Sequence, residues 1–394
     1  MRREPPADLV TSVAVLADDL TSAGDGAAPF RGAGHRAQVL LSRDGVIGAA
    51  REGVVAVDLA SRALDEATAV AVTWRAAGAF AGADLLIKTV DSTLRGHLAD
   101  EIRAAHAGSG RQAVVVAPAF PAEGRTTVRG IQHVQGVPVD ETEFAHDPAH
   151  PVRTADLARL LPEAELLEPE QFAKLPELID SGGVFVCSAV TDADLDHLVF
   201  SVPRPHDVLW VGSPGLAAAL AAHHSRTPAV PAVEPPVSRR PLVVVGSAHP
   251  ASRRQLDRLR TRGDVGAAEA GDDPAAAVES LRRSGAPVLA VHTPDARRTA
   301  SDALTGDLAA AVGASVAEGL VDGLVLTGGE TAATVLEALG AGGIDLVDEP
   351  EPGVARGVLL GPRRLPVLIK AGGFGDDDTL DRLRRILAEG APVS

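Results

Sequence analysis

Along this chain, short unbroken apolar runs alternate with longer Ala-rich stretches of helical periodicity. That alternation predicts strands and helices in turn, the pattern of parallel α/β sheets. In the first part, strands are expected over residues 12–17, 37–41, 54–59, 84–90, 113–119, 183–189 and 207–212. Helices are expected over 65–77, with Ser61 or Asp65 as cap, and over 98–106. Continuously apolar strands imply burial on both faces, as in doubly wound folds. Such sheets bind ligands beyond the carboxyl ends of their strands.

After the helical stretch "PGLAAALAAHHS", residues 226–241 ("RTPAVPAVEPPVSRRP") carry five prolines without periodicity and read as a surface linker. The expected division is therefore a first domain over 1–225, the linker, and a second domain over 242–394. The second part repeats the alternation, with strands "LVVVGSA", "PVLAVH", "GLVLTG" and "PVLIKA" and helices from about Ala251, over 302–318, 331–339 and 379–388. Proline-rich 349–357 reads as a loop. The predicted fold is α/β, two domains each with a mainly parallel sheet flanked by helices.

Composition narrows the function classes. At 394 residues the chain exceeds one ordinary core. A net charge of -16 argues against general affinity for nucleic acid or anionic membranes. No apolar run approaches the roughly 20 residues of a membrane span, and the start "MRREPPADLV" has no signal-peptide core. A cytoplasmic enzyme is the expectation. The single cysteine, Cys187, lies in an apolar run and reads as core; alone it excludes an internal disulfide and a multi-cysteine zinc cage.

Three strand ends in the first part carry unusual chemistry. "LADDLTSAGD" sets Asp18 and Asp19 directly after the first strand, suited to a general base, a metal, or hydrogen bonds from substrate hydroxyls. A helix cap needs only one such residue. "LLIKTVDSTLRG" brings together Lys88, Asp91, Ser92, Thr93, Arg95 and Gly96. Arg95 offers a planar fork for a carboxylate, the hydroxyls offer donors, and the next helix offers free N–H groups. An Asp91–Arg95 salt bridge would account for two of these residues. "PAFPAEGRTTVRG" adds Arg125, which could equally reach an anion or sit on a solvated surface. His133, His146 and His150 fit no compact metal motif, and no metal ligand set is assigned.

The strongest motif in the second part is "GLVLTGGETAATVLEALG": a strand running into Gly328 and Gly329, with a helix opening at Glu330 or Thr331. Glycines let backbone approach phosphate, and the helix start supplies N–H groups and a positive dipole end. "IKAGGFGDDD" adds Lys370, Gly372 and Gly373, and "VVVGSAHP" adds Ser247. Lysine occurs only at Lys88, Lys174 and Lys370, two of them at ends of buried strands. GxxxxGK[ST] is absent, and no GxGxxG follows a strand. Two glycine loops in one domain and an anion-and-hydroxyl site in the other suggest a nucleotide facing a small acid across an interdomain cleft.

"LADDLTSAGD", "KTVDSTLRG", "PAFPAEGRTTVRG", "TGGETA", "EPGVARG" and "KAGGFG" together, in this order, resemble the four-carbon acid sugar kinases, also called the DUF1537 family. The resemblance implies ATP-dependent phosphorylation of the terminal hydroxyl of erythronate, threonate or a 3-oxo-tetronate. It implies that Asp18, Asp19, Asp91, Ser92 and Arg95 lie in the acid-sugar site, and that Ser247, Gly328, Gly329, Glu330, Thr331 and Gly373 contact ATP. The sequence departs from the family pattern at Ala248-His249, at His97 and at Ala371. On this reading Arg95 holds the substrate carboxylate and Asp19 or Asp18 orients or deprotonates the hydroxyl. Lys370 and the glycine loops hold phosphates, with Mg²⁺ expected on them. The alternatives are a kinase for another small sugar acid, such as an oxo-apionate, and a non-catalytic acid-sugar or nucleotide sensor. A homodimer is the candidate assembly.

Overall fold

A computed structural model describes residues 10–41, 52–147, 150–224, 237–294 and 302–390. Most of the expected linker, and the first nine residues, lie outside this set. The chain divides into two compact units, Met1–Pro231 and Ala232–Ser394.

The first unit holds β1 (Ser12–Ala17), β2 (Ala37–Leu41), β3 (Gly53–Asp58), β4 (Leu85–Thr89), β5 (Ala113–Ala117), β6 (Arg125–Val128), β7 (Ile131–Val134), β8 (Val137–Pro138), β9 (Glu165–Leu167), β10 (Gly183–Cys187) and β11 (Val208–Gly212). Eight form a parallel sheet in the order β2-β3-β1-β4-β11-β5-β10-β9. β1, β4, β5 and β11 are buried along their whole length, which is why their sequences lack alternation. Leu16, Leu86, Val116 and Leu209 share one core cluster, each such burial contributing about 1.5–3 kcal/mol. Cys187 is fully buried, and burial pushes its thiol pKa up, so it is inert packing.

β1 is the first strand yet lies centrally, with β3 on one side and β4 on the other. The chain therefore reverses its winding at the carboxyl end of β1, the place where such sheets open a ligand crevice. Asp18 and Asp19 follow β1, Asp58 ends β3, and Asp91 comes two residues after β4.

The second unit holds β12 (Pro241–Val245), β13 (Val265–Glu269), β14 (Val288–His292), β15 (Gly323–Thr327), β16 (Gly343–Glu351), β17 (Val354–Leu359) and β18 (Pro366–Lys370), ordered β13-β14-β12-β15-β18-β17-β16. β12 is again central, and its switch point lies between β14 and β15. β17 runs antiparallel to both neighbours.

Residues 349–357, expected as a loop, are instead most of a hairpin. Gly353 makes the turn at φ +71°, and Pro350 falls where the register shifts between Asp348 and Glu351, so no ladder N–H is missed there. Residues 125–138, for which the sequence predicts no strand, make the small antiparallel sheet β6-β7-β8. β13, with the mildly apolar sequence VGAAE, and the helix Pro274–Ser284 carried no expectation.

Candidate active site

At the switch point of the first unit, two guanidinium groups sit among the carboxylates of Asp18, Asp19 and Asp91, with Asp147 nearby. Arg62 follows β3 on a short 3-10 turn and grips Asp18 with both ends of its fork, Nε to Oδ2 at 2.8 Å and Nη2 to Oδ1 at 3.0 Å. Its Nη1 donates to Asp19 Oδ2 at 2.6 Å and lies 4.0 Å from Asp91. The other Asp19 oxygen caps the helix Leu20–Gly32 by accepting from Ser22 N at 2.7 Å and from the Thr21 hydroxyl. Asp19 thus caps a helix and also binds Arg62, which explains why a cap alone did not account for the pair.

Asp91 folds its own loop: Oδ1 accepts from Thr93 N and Oγ1, and Oδ2 accepts from Arg95 Nε at 2.5 Å. Arg95 also approaches Asp147 at 3.4 Å and lies over the Phe144 ring at 5.4 Å. Its Nη2 makes no hydrogen bond to another described residue, and the side chain is 28% exposed. The Ser92 hydroxyl likewise has no described partner, while the Ser92 carbonyl is held by Gln132 Nε2. Burial alone would raise Asp18, but the Arg62 and Lys88 charges hold it below the usual carboxylate range. Asp91 is lowered too, burial being outweighed by Arg95 and Arg62, so both are ionised at neutral pH. The cluster offers exposed donors for an anion and acceptors for hydroxyls.

In the second unit, three loops converge. Gly328 caps the helix Gly329–Ala338 at φ +95° and ψ 133°, a conformation that side-chain-bearing residues avoid. A Cβ there would stand 3.3 Å from the Ser247 Cβ, and one at Gly372 would stand 2.6 Å from Ser247 Oγ. One at Gly373 would meet the His249 ring at 3.2 Å. Ser247, Gly328, Gly372 and Gly373 therefore line one cradle. Thr331 is buried beside Gly246, Glu330 is exposed on the first helical turn, and Gly329 opens it. Thr327 Oγ1 is buried with no hydrogen-bond partner among the described residues. Orphan helix N–H groups, glycine backbone and an unpaired hydroxyl fit a phosphate chain. Among the described residues, no group of three or more His, Cys, Asp or Glu is arranged to hold a metal ion.

Residues 13–220 match the family described as the sugar-binding N-terminal domain, and residues 242–380 match the nucleotide-binding C-terminal domain. The chain is 38% identical to a D-threonate kinase of Bordetella bronchiseptica, over 96% of this chain and 98% of that one. The chain belongs to the four-carbon acid sugar kinase family. A second relative in this family is a D-threonate kinase of Salmonella typhimurium, 32% identical over 93% of this chain and 96% of that one. A third is a 3-oxo-tetronate kinase of Methylobacterium radiotolerans, 30% identical over 97% of this chain and 98% of that one. The fold is shared with a solved DUF1537 structure from Haemophilus influenzae, at TM-score 0.73 and 20% identity, covering 96% of this chain and all of that one.

For this acid sugar kinase chain, three expected site residues stand elsewhere than foreseen. Lys88 is only 1% exposed and is bonded to Glu101 at 2.7 Å and the Thr89 carbonyl at 2.8 Å, so it supports the loop from beneath. A buried ammonium requires such a partner. Arg125 is turned back on its own tight turn, donating to the Glu123 carbonyl and lying 3.6 Å from the Glu123 carboxylate, and none of its described bonds reaches the Arg62–Arg95 cluster. Lys370 is fully buried, and its ammonium serves the carbonyls of Ala371 (2.7 Å), Phe374 (2.9 Å) and Gly372 (3.4 Å). An ammonium has three donors, and these contacts occupy them; Lys370 shapes the glycine loop and does not reach past it. Gly96 lies beside Asp18, where a Cβ would come 3.6 Å from Oδ2.

Burial pushes the Lys370 pKa down to about 8, with Glu351 opposing. Replacing Lys370 with methionine is expected to cost about 1–3 kcal/mol for each carbonyl left without a donor. Urea unfolding measures that loss, and weakened nucleotide binding should accompany it. Arg62 escaped the sequence reading, although it too lies just past a strand end.

Proposed function

We propose that this protein is an ATP-dependent kinase acting on the terminal hydroxyl of a four-carbon acid sugar, with D-threonate as its acceptor. The observation that carries the proposal is the partly exposed Arg95 fork, with the unpartnered Ser92 hydroxyl and the Asp18–Asp19 pair, all at the switch point of a sugar-binding domain. The relatives named D-threonate kinases favour that acceptor.

Arg95 Nη2 pairs with the acid carboxylate, and Ser92 donates to a chain hydroxyl. Asp19, at 22% exposed against 5% for Asp18, accepts from the attacking hydroxyl and orients it. Asp18 and Asp91 are too acidic to serve as strong bases. That is no obstacle, because a loose phosphoryl-transfer transition state relies on positioning and charge more than on proton abstraction. Ser247, Gly328–Thr331 and Gly372–Gly373 hold the nucleotide phosphates. ATP supplies the phosphoryl group, and a Mg²⁺ ion bound with it would offset the charge of its phosphates.

ADP release from ATP, followed with D-threonate, D-erythronate, L-threonate and their 3-oxo forms, tests the proposal. The expected result is an acid-dependent rate, highest with D-threonate. An equal basal rate with every acid would refute it. The relative named as a 3-oxo-tetronate kinase makes the oxo acids the second acceptor class of interest.

A further inference from the structure

The turn carrying Arg62 rests on an uncommon backbone. Ala60, not glycine, adopts φ 50° and ψ 20°, a left-handed conformation that costs a residue with a Cβ. Two residues before it, Asp58 ends β3 with only 4% of its surface exposed, and its Oδ1 accepts the Ala60 N–H at 2.8 Å. No other hydrogen bond of the Asp58 carboxyl is made among the described residues. On both sides the segment is tied to the end of β1: Leu59 N donates to Ala17 O at 2.9 Å, and Arg62 N to Asp18 O at 3.2 Å. The Arg62 guanidinium then reaches Asp18 and Asp19.

We propose that Asp58 is a positioning residue for the acid site: its buried carboxyl holds the left-handed turn at Ala60 and thereby aims Arg62 at Asp18 and Asp19. The proposal rests on reading this cluster as the acid-sugar site. Asp58 touches neither substrate nor nucleotide in this role. It acts through Arg62.

Its surroundings make the charge of Asp58 consequential. Burial raises its pKa to about 7; the Ala60 N–H opposes, and Asp19 and Asp18 raise it further, with Arg62 opposing. The other charged or titratable groups of the site are Asp91 and Arg95 after β4, Asp147 against Arg95, the Lys88–Glu101 pair beneath, and His97 and His150, whose rings meet edge-on at 6.4 Å. A neutral Asp58 leaves Asp18, Asp19, Asp91 and Asp147 facing Arg62 and Arg95, whereas an ionised one adds a fifth carboxylate and weakens the site for an anion. The folded pKa lies above the ordinary carboxylate value, so the fold binds an extra proton in that window. Stability is therefore lost as pH climbs toward 7 and stays lower above it.

Full-length wild type, Asp58→Asn and Asp58→Ala provide the test. In ligand-free protein, hydrogen exchange at Arg62 Nε, read by nitrogen-15 NMR, should be protected in wild type and in Asp58→Asn, whose amide oxygen still accepts from Ala60. Asp58→Ala should lose about tenfold or more of that protection. In the kinase assay, the wild-type KM for D-threonate should rise several-fold as pH passes through about 7 with kcat nearly constant, and Asp58→Asn should flatten that rise. Undiminished Arg62 protection in Asp58→Ala would overturn the proposal, as would an unchanged KM profile in Asp58→Asn. If Asp58→Ala does not fold, the Asp58→Asn profile decides. If wild type phosphorylates no four-carbon acid, the kinase reading falls, while Arg62 exchange still decides for or against Asp58.

Discussion

Replacing Arg62 with alanine is expected to abolish acid-dependent phosphorylation and to destabilise the first unit by about 3–5 kcal/mol. The magnitude follows from what is left behind. Asp18 is nearly buried and loses both hydrogen bonds of its bidentate partner, and Asp19 loses the cation at 2.6 Å. The two carboxylates adjoin Asp58 and Asp91, so removal of Arg62 concentrates like charge in a site with little water. Chemical unfolding followed by tryptophan fluorescence measures the loss, since Trp210 is buried in the core of this unit. Arg62→Lys separates the two effects. It restores a charge but not the fork, so part of the stability should return while activity stays low. A fully active, wild-type-stable Arg62→Ala variant would show that the guanidinium neither organises nor serves the site.

The second large effect is expected at Gly328. Alanine there must adopt φ +95° and ψ 133° and place its Cβ 3.3 Å from the Ser247 Cβ, which closes the cradle while straining it. The strain is of order 1–3 kcal/mol, and relief by backbone movement would turn the first N–H groups of the helix Gly329–Ala338 away from the phosphates. Gly328→Ala should therefore raise the KM for ATP at least about tenfold and leave the affinity for the acid unchanged. Calorimetric titration of each ligand separately checks this. Equal weakening of both ligands would mean general misfolding, and no weakening of either would remove Gly328 from the phosphate site.

Strand positions were legible because burial on both faces leaves an unbroken apolar run, as in β1, β4, β5 and β11. The hairpin β16-β17 was not, because its prolines read as a loop until Arg356 is seen paired with Asp348 across it. Asp18, Asp19, Asp91 and Arg95 could be found by one rule, polar residues crowded after a strand. Arg62 obeys the same rule four residues past Asp58, yet its partners lie 43 and 44 residues away in sequence, so only the fold reveals its purpose. Asp58 was hidden inside an expected strand, residues 54–59. Lys88 and Lys370 misled for the opposite reason. Each sits where a ligand-binding lysine would, and each is instead consumed by the protein: Lys88 by a carboxylate on the next helix, Lys370 by three carbonyls of its own loop. Sequence shows that an ammonium is present at such a point but not whether its donors remain available.

The most direct test is a crystal structure of the protein with a non-hydrolysable ATP analogue and D-threonate. The account predicts the acid carboxylate on Arg95 with its terminal hydroxyl at Asp19, and the phosphates against Ser247, Gly328–Thr331 and Gly372–Gly373. An acid bound away from Arg95 and Asp19, or a nucleotide whose phosphates touch none of these glycine turns, would contradict it.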